Sequence, residues 1–251
     1  MAKNIIFYFS GTGNSLKVSK DFAESLGDCE CVSMAKLHTL SGGYERIGFV
    51  YPIYFCGLPG VVKRFIENLD ISENKDTYFF ATCTAGRTPG GFREISKNLA
   101  KKGGKLRYAK FIACYSNYVC MYPMRSDAKE KAEAQAKATK QAALDIQTKS
   151  ESEIPKDSIL SFANGWLIKN AATKDRFYSV SDACDGCGIC SKVCPVDNIK
   201  MENKPIFLHH CEQCVACIQW CPKQAINYKN KTQNRGRYHH PDITVADMII
   251  E

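Results

Sequence analysis

Residues 184 to 222 constrain the fold of this chain more than any other stretch; they read CDGCGICSKVCPVDNIKMENKPIFLHHCEQCVACIQWCP. Eight cysteines fall into two copies of C-x2-C-x2-C-x3-C-P: Cys184, Cys187, Cys190 and Cys194 before Pro195, then Cys211, Cys214, Cys217 and Cys221 before Pro222. At this spacing three thiolates grip one iron–sulfur cubane and the fourth reaches a second cubane. The spacing therefore predicts two 4Fe-4S clusters, one on Cys184, Cys187, Cys190 and Cys221, the other on Cys211, Cys214, Cys217 and Cys194. At an offset of 27 residues the cysteines, the prolines and Ile199 with Ile226 all coincide, so each half reads as one unit of a pseudo-twofold module. Zinc sites usually pair two C-x2-4-C knuckles into a closed tetrahedron. A third cysteine at the same interval and the proline after the fourth suit a cubane instead.

The whole chain has 251 residues, enough for one ordinary domain and a small one. Eight of its 14 cysteines sit in the double motif, which favours metal in a reducing cytosol over a spread disulfide framework. The apolar run near the N-terminus is too short for a signal-peptide core. The longest uncharged stretch, residues 47 to 62, is broken by glycine and proline and falls short of the ~20 apolar residues that span a bilayer. The expectation is a soluble, cytoplasmic protein with no membrane partner. The formal charge of +8 counts the ligating cysteines as neutral. Eight thiolates around two clusters of core charge 2+ add about −4 and a bound phosphate roughly −2, leaving the loaded protein near +2. Charge therefore gives no ground for a nucleic-acid partner. The Lys and Arg residues read as solvated faces or as a docking surface for an acidic redox partner.

In the N-terminal part, residues 4 to 9 form a continuous apolar run, as in a parallel strand buried on both faces. Ser10, Gly11, Thr12, Gly13, Asn14 and Ser15 then open a helix with Val18, Phe22, Ala23 and Leu26 on one face. A strand, a glycine-rich turn and a helix N-terminus make an anion site, and neutral hydroxyl and amide donors suit a phosphomonoester. The loop lacks the Walker lysine, and Leu16 stands where a dinucleotide fingerprint needs its third glycine. Strands are expected at 29 to 33, 46 to 51, 77 to 82 and 106 to 114, with helices led by Pro59 and Phe92 between them. This alternation predicts an α/β fold with a doubly wound parallel sheet, whose ligands bind beyond the carboxyl ends of the strands. Two long loops fall there. One carries Pro52, Ile53, Tyr54, Phe55 and Cys56, the other Cys83, Thr84, Ala85, Gly86, Arg87, Gly90 and Gly91. An apolar aromatic loop facing a glycine-rich one could sandwich a flat ring.

The loops at 10 to 15, 52 to 59 and 83 to 91 resemble the phosphate loop and the two isoalloxazine loops of flavodoxins. With the double cysteine motif, the whole chain resembles the fused flavodoxin/two-cluster ferredoxin electron-transfer proteins of anaerobes. The resemblance implies a five-stranded parallel sheet of order 2-1-3-4-5 binding FMN, followed by an α+β bacterial-type ferredoxin domain with two 4Fe-4S clusters. It implies FMN contacts from the three loops, with Tyr54, Phe55 and Tyr118 as the aromatics that could stack on the ring. Flavodoxins are typically acidic and this domain is basic, so the family's partner surfaces do not carry over.

The division expected is 1–157 for the FMN domain, 158–179 for a bridging helix and linker, 180–228 for the ferredoxin domain and 229–251 for a basic tail, either mobile or folded back on the first domain. Ser126 or Asp127 should cap a long helix reaching about residue 149 and lying over the sheet edge, and residues 150 to 157 read as the linker. Residues 158 to 174 show helical periodicity through Ile159, Phe162, Ala163, Trp166, Leu167 and Asn170. Cys29, Cys31, Cys56, Cys83, Cys114 and Cys120 read as small buried hydrophobes, with Cys56 and Cys83 beside the proposed pocket. His209, His210, His239 and His240 read as packing groups or as partners of the ligands, since cysteine supplies every cluster ligand.

No catalytic base, nucleophile or nicotinamide fingerprint stands out, so no catalytic residue is assigned. The leading expectation is an electron carrier that relays electrons between FMN and two clusters and on to a redox partner. A homodimer passing electrons head to tail would serve the same end. A flavin-dependent reductase of a small organic acceptor, using Arg87, Tyr118 or Cys56, is the alternative, and a cluster-based redox sensor a third reading.

Overall fold

The structure, a computed structural model, describes residues 2–36 and 38–249. Its first part alternates β1 (Asn4–Tyr8), α1 (Asn14–Leu26), β2 (Cys29–Ser33), β3 (Arg46–Pro52), α2 (Gly60–Asn68), β4 (Tyr78–Ala85), α3 (Phe92–Lys101), β5 (Leu106–Ala113) and α4 (Ala128–Gln147). All five strands are parallel, in the order β2-β1-β3-β4-β5. Side chains alternate across the sheet as the pleat requires. Ile5, Phe7, Phe49, Tyr51 and Phe79 pack with Val62 and Phe65 of α2 and Ile95 of α3. On the opposite face Ile6, Val50, Phe80 and Tyr108 pack with Val18 and Phe22 of α1 and Ala142 and Ile146 of α4. Helices thus cover both faces, which is why the strands read as unbroken apolar runs.

Two local expectations need correction. The long helix α4 lies on the sheet face beside α1, because Gln135, Thr139, Ala142, Ala143 and Ile146 give it a buried stripe. Its N-cap is Asp127, but that carboxylate holds Arg125 (Nη2–Oδ2 2.6 Å) and makes no cap bond. The segment read as the linker is tied to the sheet: Ser152 donates its N–H to the Arg107 carbonyl at 3.0 Å and accepts from the Ala109 N–H at 2.9 Å, covering the β5 edge.

After a 3₁₀ turn (Ile159–Ala163) come α5 (Asn164–Ala171) and a second 3₁₀ turn (Lys174–Phe177). The expected apolar face is not the buried one. Phe162 and Trp166 are 83% and 68% exposed, while Asn164 and Ala171 are buried; the Ile159 side chain lies outside the described residues.

The cysteine-rich part comprises β6 (Tyr178–Val180), α6 (Ile189–Lys192), β7 (Ile199–Met201), β8 (Pro205–Phe207), α7 (Ala216–Gln219) and β9 (Ile226–Tyr228). The 27-residue offset maps β6 onto β8, α6 onto α7 and β7 onto β9. Antiparallel pairs join β6 to β9 and β7 to β8, so each half lends its first strand to the other half's last. The repeat extends to backbone conformation: Gly186 and Gln213, Gly188 and Val215, and Asp197 and Gln224 all have positive φ. Beyond β9 the chain runs back over the N-terminus of α1, and its last element among the described residues is α8 (Val245–Met248). There the His240 N–H donates to the Thr12 carbonyl at 2.9 Å, and Lys20 pairs with Asp247.

Candidate cofactor site

The loop after β1 turns at Gly13, the N-cap of α1, whose φ of +94° suits glycine and whose N–H donates to Ser10 Oγ at 3.0 Å. No side chain caps α1, so its first N–H groups point outward without a cap acceptor. Thr12, Asn14 and Ser15 are buried and held in place. Asn117 Nδ2 donates to Thr12 Oγ1 at 2.6 Å, which leaves the threonine hydrogen free to donate elsewhere. Tyr238 Oη donates to Asn14 Oδ1 at 2.8 Å, Asn14 Nδ2 donates to the Tyr115 carbonyl at 3.3 Å, and Ser15 Oγ lies 2.8 Å from Thr84 Oγ1. Oriented neutral donors around an uncapped helix start are the chemistry a phosphate monoester needs.

Beside this loop is a cavity of about 290 Å³. Of the residues expected to bind FMN, Ser10, Gly11, Thr12, Asn14, Ser15, Pro52, Ile53, Tyr54, Phe55, Thr84, Ala85, Gly86 and Tyr118 line it. Gly13, Cys83, Arg87, Gly90 and Gly91 are not among its walls. The pleat turns Cys83 into the core beside Tyr51, and Tyr51 Oη donates to the Gly90 carbonyl at 3.1 Å on the same side. Gly91 is spent as the N-cap of α3, packed on Leu58, and Arg87 points to solvent.

Residues not expected to contact FMN complete the walls. Cys114, Tyr115, Ser116, Asn117, Met121 and Tyr122 follow β5, where the rule of carboxyl-end binding would have led. Gln213, Cys214 and Val215 come from the second cysteine motif. Their approach is close: a Cβ on Gly11 would stand 2.5 Å from the Cys214 carbonyl oxygen, so only glycine fits. Trp220 Nε1 donates to the Gly11 carbonyl at 3.0 Å, and Gln219 Nε2 to that of Asn117 at 2.6 Å. Val119 and Cys120 pack among Ile199, Val215 and Ile218. The aromatic loop is clamped from the same side. Asn164 Nδ2 donates to the carbonyls of Tyr54, Phe55 and Leu58 at 2.9, 3.3 and 3.3 Å, and Phe55 and Cys56 are held at positive φ. Burial, then the nearby Cys214, pushes the Tyr54 phenol well above its ordinary pKa, and burial drives the Cys114 thiol up to about 12.

Backbone donors meet the cysteine sulfurs in a repeating pattern. Asn198 N–H points at Cys194 Sγ and Ala225 N–H at Cys221 Sγ, both at 3.3 Å and both four residues on; Gln213 N–H reaches Cys211 Sγ at 3.2 Å. Burial raises the Cys190 thiol to about 11, the Ser191 N–H opposes it, and Cys221 acts next, ahead of Cys187 and Cys184. Cys214 is raised by burial first, then by Cys194 and Cys211. N–H groups aimed at sulfur suit thiolates that carry cluster charge, and coordination removes the thiol protons. Among the described residues no group of three or more His, Cys, Asp or Glu side chains converges as a single ion requires; a cubane takes each cysteine on a different iron. The histidines are engaged otherwise. His209 Nδ1 lies 2.8 Å from the buried Asp175, His210 Nε2 lies 2.9 Å from the Val196 carbonyl, and His239 stacks on Trp220 at 4.3 Å.

A flavodoxin domain model matches residues 5–121 and a 4Fe-4S dicluster domain model residues 176–222. The chain is a fused flavodoxin-like/iron–sulfur protein. Its cofactors are accordingly FMN and 4Fe-4S clusters, and its activity is flavin- and iron–sulfur-based redox chemistry. Similar solved structures include a flavoprotein from Bacteroides uniformis (19% identity, 45% of this chain and 90% of that one, TM-score 0.39). An FMN-dependent NADH-azoreductase from Bacillus anthracis is 11% identical over 59% of this chain and 100% of that one, TM-score 0.42. A flavodoxin from the domain Archaea is 12% identical over 55% and 96%, TM-score 0.37. No curated protein matches the chain. Among the described residues no helix is long and apolar enough to cross a membrane.

Proposed function

We propose that this chain is an electron-transfer protein that relays electrons between FMN and two 4Fe-4S clusters and on to a redox partner protein in the cytosol. The observation that carries the reading is that Cys214, a cluster ligand by its spacing, lines the same cavity as the Ser10, Thr12 and Ser15 loop, with Gly11 admitting its backbone. Bound there, FMN can exchange one or two electrons and each cluster one, which matches one-electron to two-electron donors.

The chain's own groups divide the work. Thr12, Ser10 and the N–H groups opening α1 hold the phosphate, and Tyr54, Phe55 and Tyr118 wall the ring. Cys211, Cys214 and Cys217 with Cys194 hold the cluster next to the flavin. Cys184, Cys187 and Cys190 with Cys221 hold the outer one, where Cys187 is exposed and offers the partner its nearest approach. On this reading residues 1–157 and 180–228 are the two cofactor domains, 158–179 bridge them and 229–251 latch the phosphate loop. Rapid anaerobic mixing with a limiting one-electron donor should show redistribution between cluster and flavin absorption at a rate independent of protein concentration. A rate proportional to concentration would overturn the relay within one chain.

A further inference from the structure

The second cysteine motif departs from the first at the residue two after its leading cysteine. Gly186 in the first motif has φ +74°, and its counterpart Gln213 keeps φ +54°. Glycine adopts that backbone without strain and glutamine does not, so the side chain is retained there against a local cost. Gln213 is 2% exposed and lines the flavin cavity. Every polar group of its side chain is engaged. Oε1 accepts from Tyr118 Oη at 3.0 Å, while Nε2 donates to Tyr178 Oη at 3.1 Å and to Cys211 Sγ at 3.5 Å. A cluster-bound thiolate can only accept, which fixes the amide with its nitrogen toward Cys211 and its oxygen toward Tyr118.

Resting on the relay reading above, we propose that Gln213 is a positioning residue that joins the inner cluster to the flavin cavity. At one end its amide N–H stabilises the charge that the cluster gains on reduction, beyond what the Gln213 backbone N–H already gives to the same sulfur. At the other end it pins the Tyr118 ring against the cavity. Gly186 provides neither contact in the first motif, so the outer cluster lacks this side-chain donor.

Two variants separate the two ends. Gln213→Gly suits the left-handed backbone and removes both contacts. It should lower the reduced-to-oxidised ratio of one cluster about tenfold at a fixed potential, a shift of about 59 mV for a one-electron couple. The other cluster should be unmoved, and FMN should bind several-fold more weakly. Gln213→Glu keeps an acceptor for Tyr118 but replaces the donors with negative charge, so FMN affinity should stay near the parent value while the cluster potential falls at least as far. Anaerobic potentiometry followed by EPR reads the clusters, and flavin fluorescence reads FMN. A purely structural Gln213 would move both readouts together in both variants. Unchanged cluster potential in Gln213→Gly, in protein retaining its iron, overturns the proposal and leaves the relay standing. Parent protein without FMN, or with one cluster, would instead overturn the relay.

Discussion

Trp220 donates its indole N–H to the carbonyl of Gly11, 209 residues earlier, at 3.0 Å. One residue thus ties the helix inside the second cysteine motif to the loop that opens the flavodoxin domain, at the glycine that Cys214 abuts. Trp220→Phe keeps an aromatic side chain but leaves a buried carbonyl without its donor. The expected loss of stability is about 1–3 kcal/mol, read as a lower anaerobic unfolding midpoint of the loaded protein. An unaltered midpoint would mean that water replaces the indole.

Thr12 has its oxygen held by Asn117 and its hydrogen free. Thr12→Val should weaken FMN by roughly 1–3 kcal/mol, the cost of leaving a charged acceptor one hydrogen bond short. Flavin fluorescence titration measures it, and parent-like affinity would assign the loop another role.

Crossed ligation predicts that Cys194→Ser damages the cluster on Cys211, Cys214 and Cys217 and spares the one beside its own motif. Cys221→Ser should do the reverse. EPR of the two variants distinguishes the clusters, and damage confined to each cysteine's own motif would contradict the crossing.

His240 is buried against the phosphate loop, its Nδ1 accepting from the Asp242 N–H at 3.2 Å. Burial holds its pKa below the ordinary 6.5, with Lys17 and His239 reinforcing and Asp242 and Asp21 opposing. The unfolded chain therefore binds this proton first, and stability falls as the pH drops through about 6.5. His240→Gln should flatten the difference in urea stability between pH 7.5 and 5.5, by no more than ~1.36 kcal/mol per pH unit. Equal pH dependence in parent and variant would mean that His240 charges as readily folded as unfolded.

The sequence by itself determined whatever depends on neighbours along the chain. Cysteines three residues apart can reach one cubane because a few bonds limit their separation, so the double motif pointed to 4Fe-4S clusters without the fold. Unbroken apolar strands between 3.6-period helices likewise demanded a sheet covered on both faces, and the observed order β2-β1-β3-β4-β5 meets it. Only the tertiary structure decided where the halves meet. Gln213, Cys214 and Val215 carry no mark of a cavity wall, and Asn164 none of a clamp on Tyr54, since Tyr118 lies 95 residues from Gln213, and Gly11 and Tyr54 lie more than a hundred from Cys214 and Asn164. Periodicity pointed to Phe162 and Trp166 as the buried face of the bridge, yet they are exposed, while Asn164 turns inward and its amide meets the carbonyls of Tyr54, Phe55 and Leu58. Hydrophobic period reports burial along one element; which surface covers it, and which polar group must be satisfied there, is set by the element that docks.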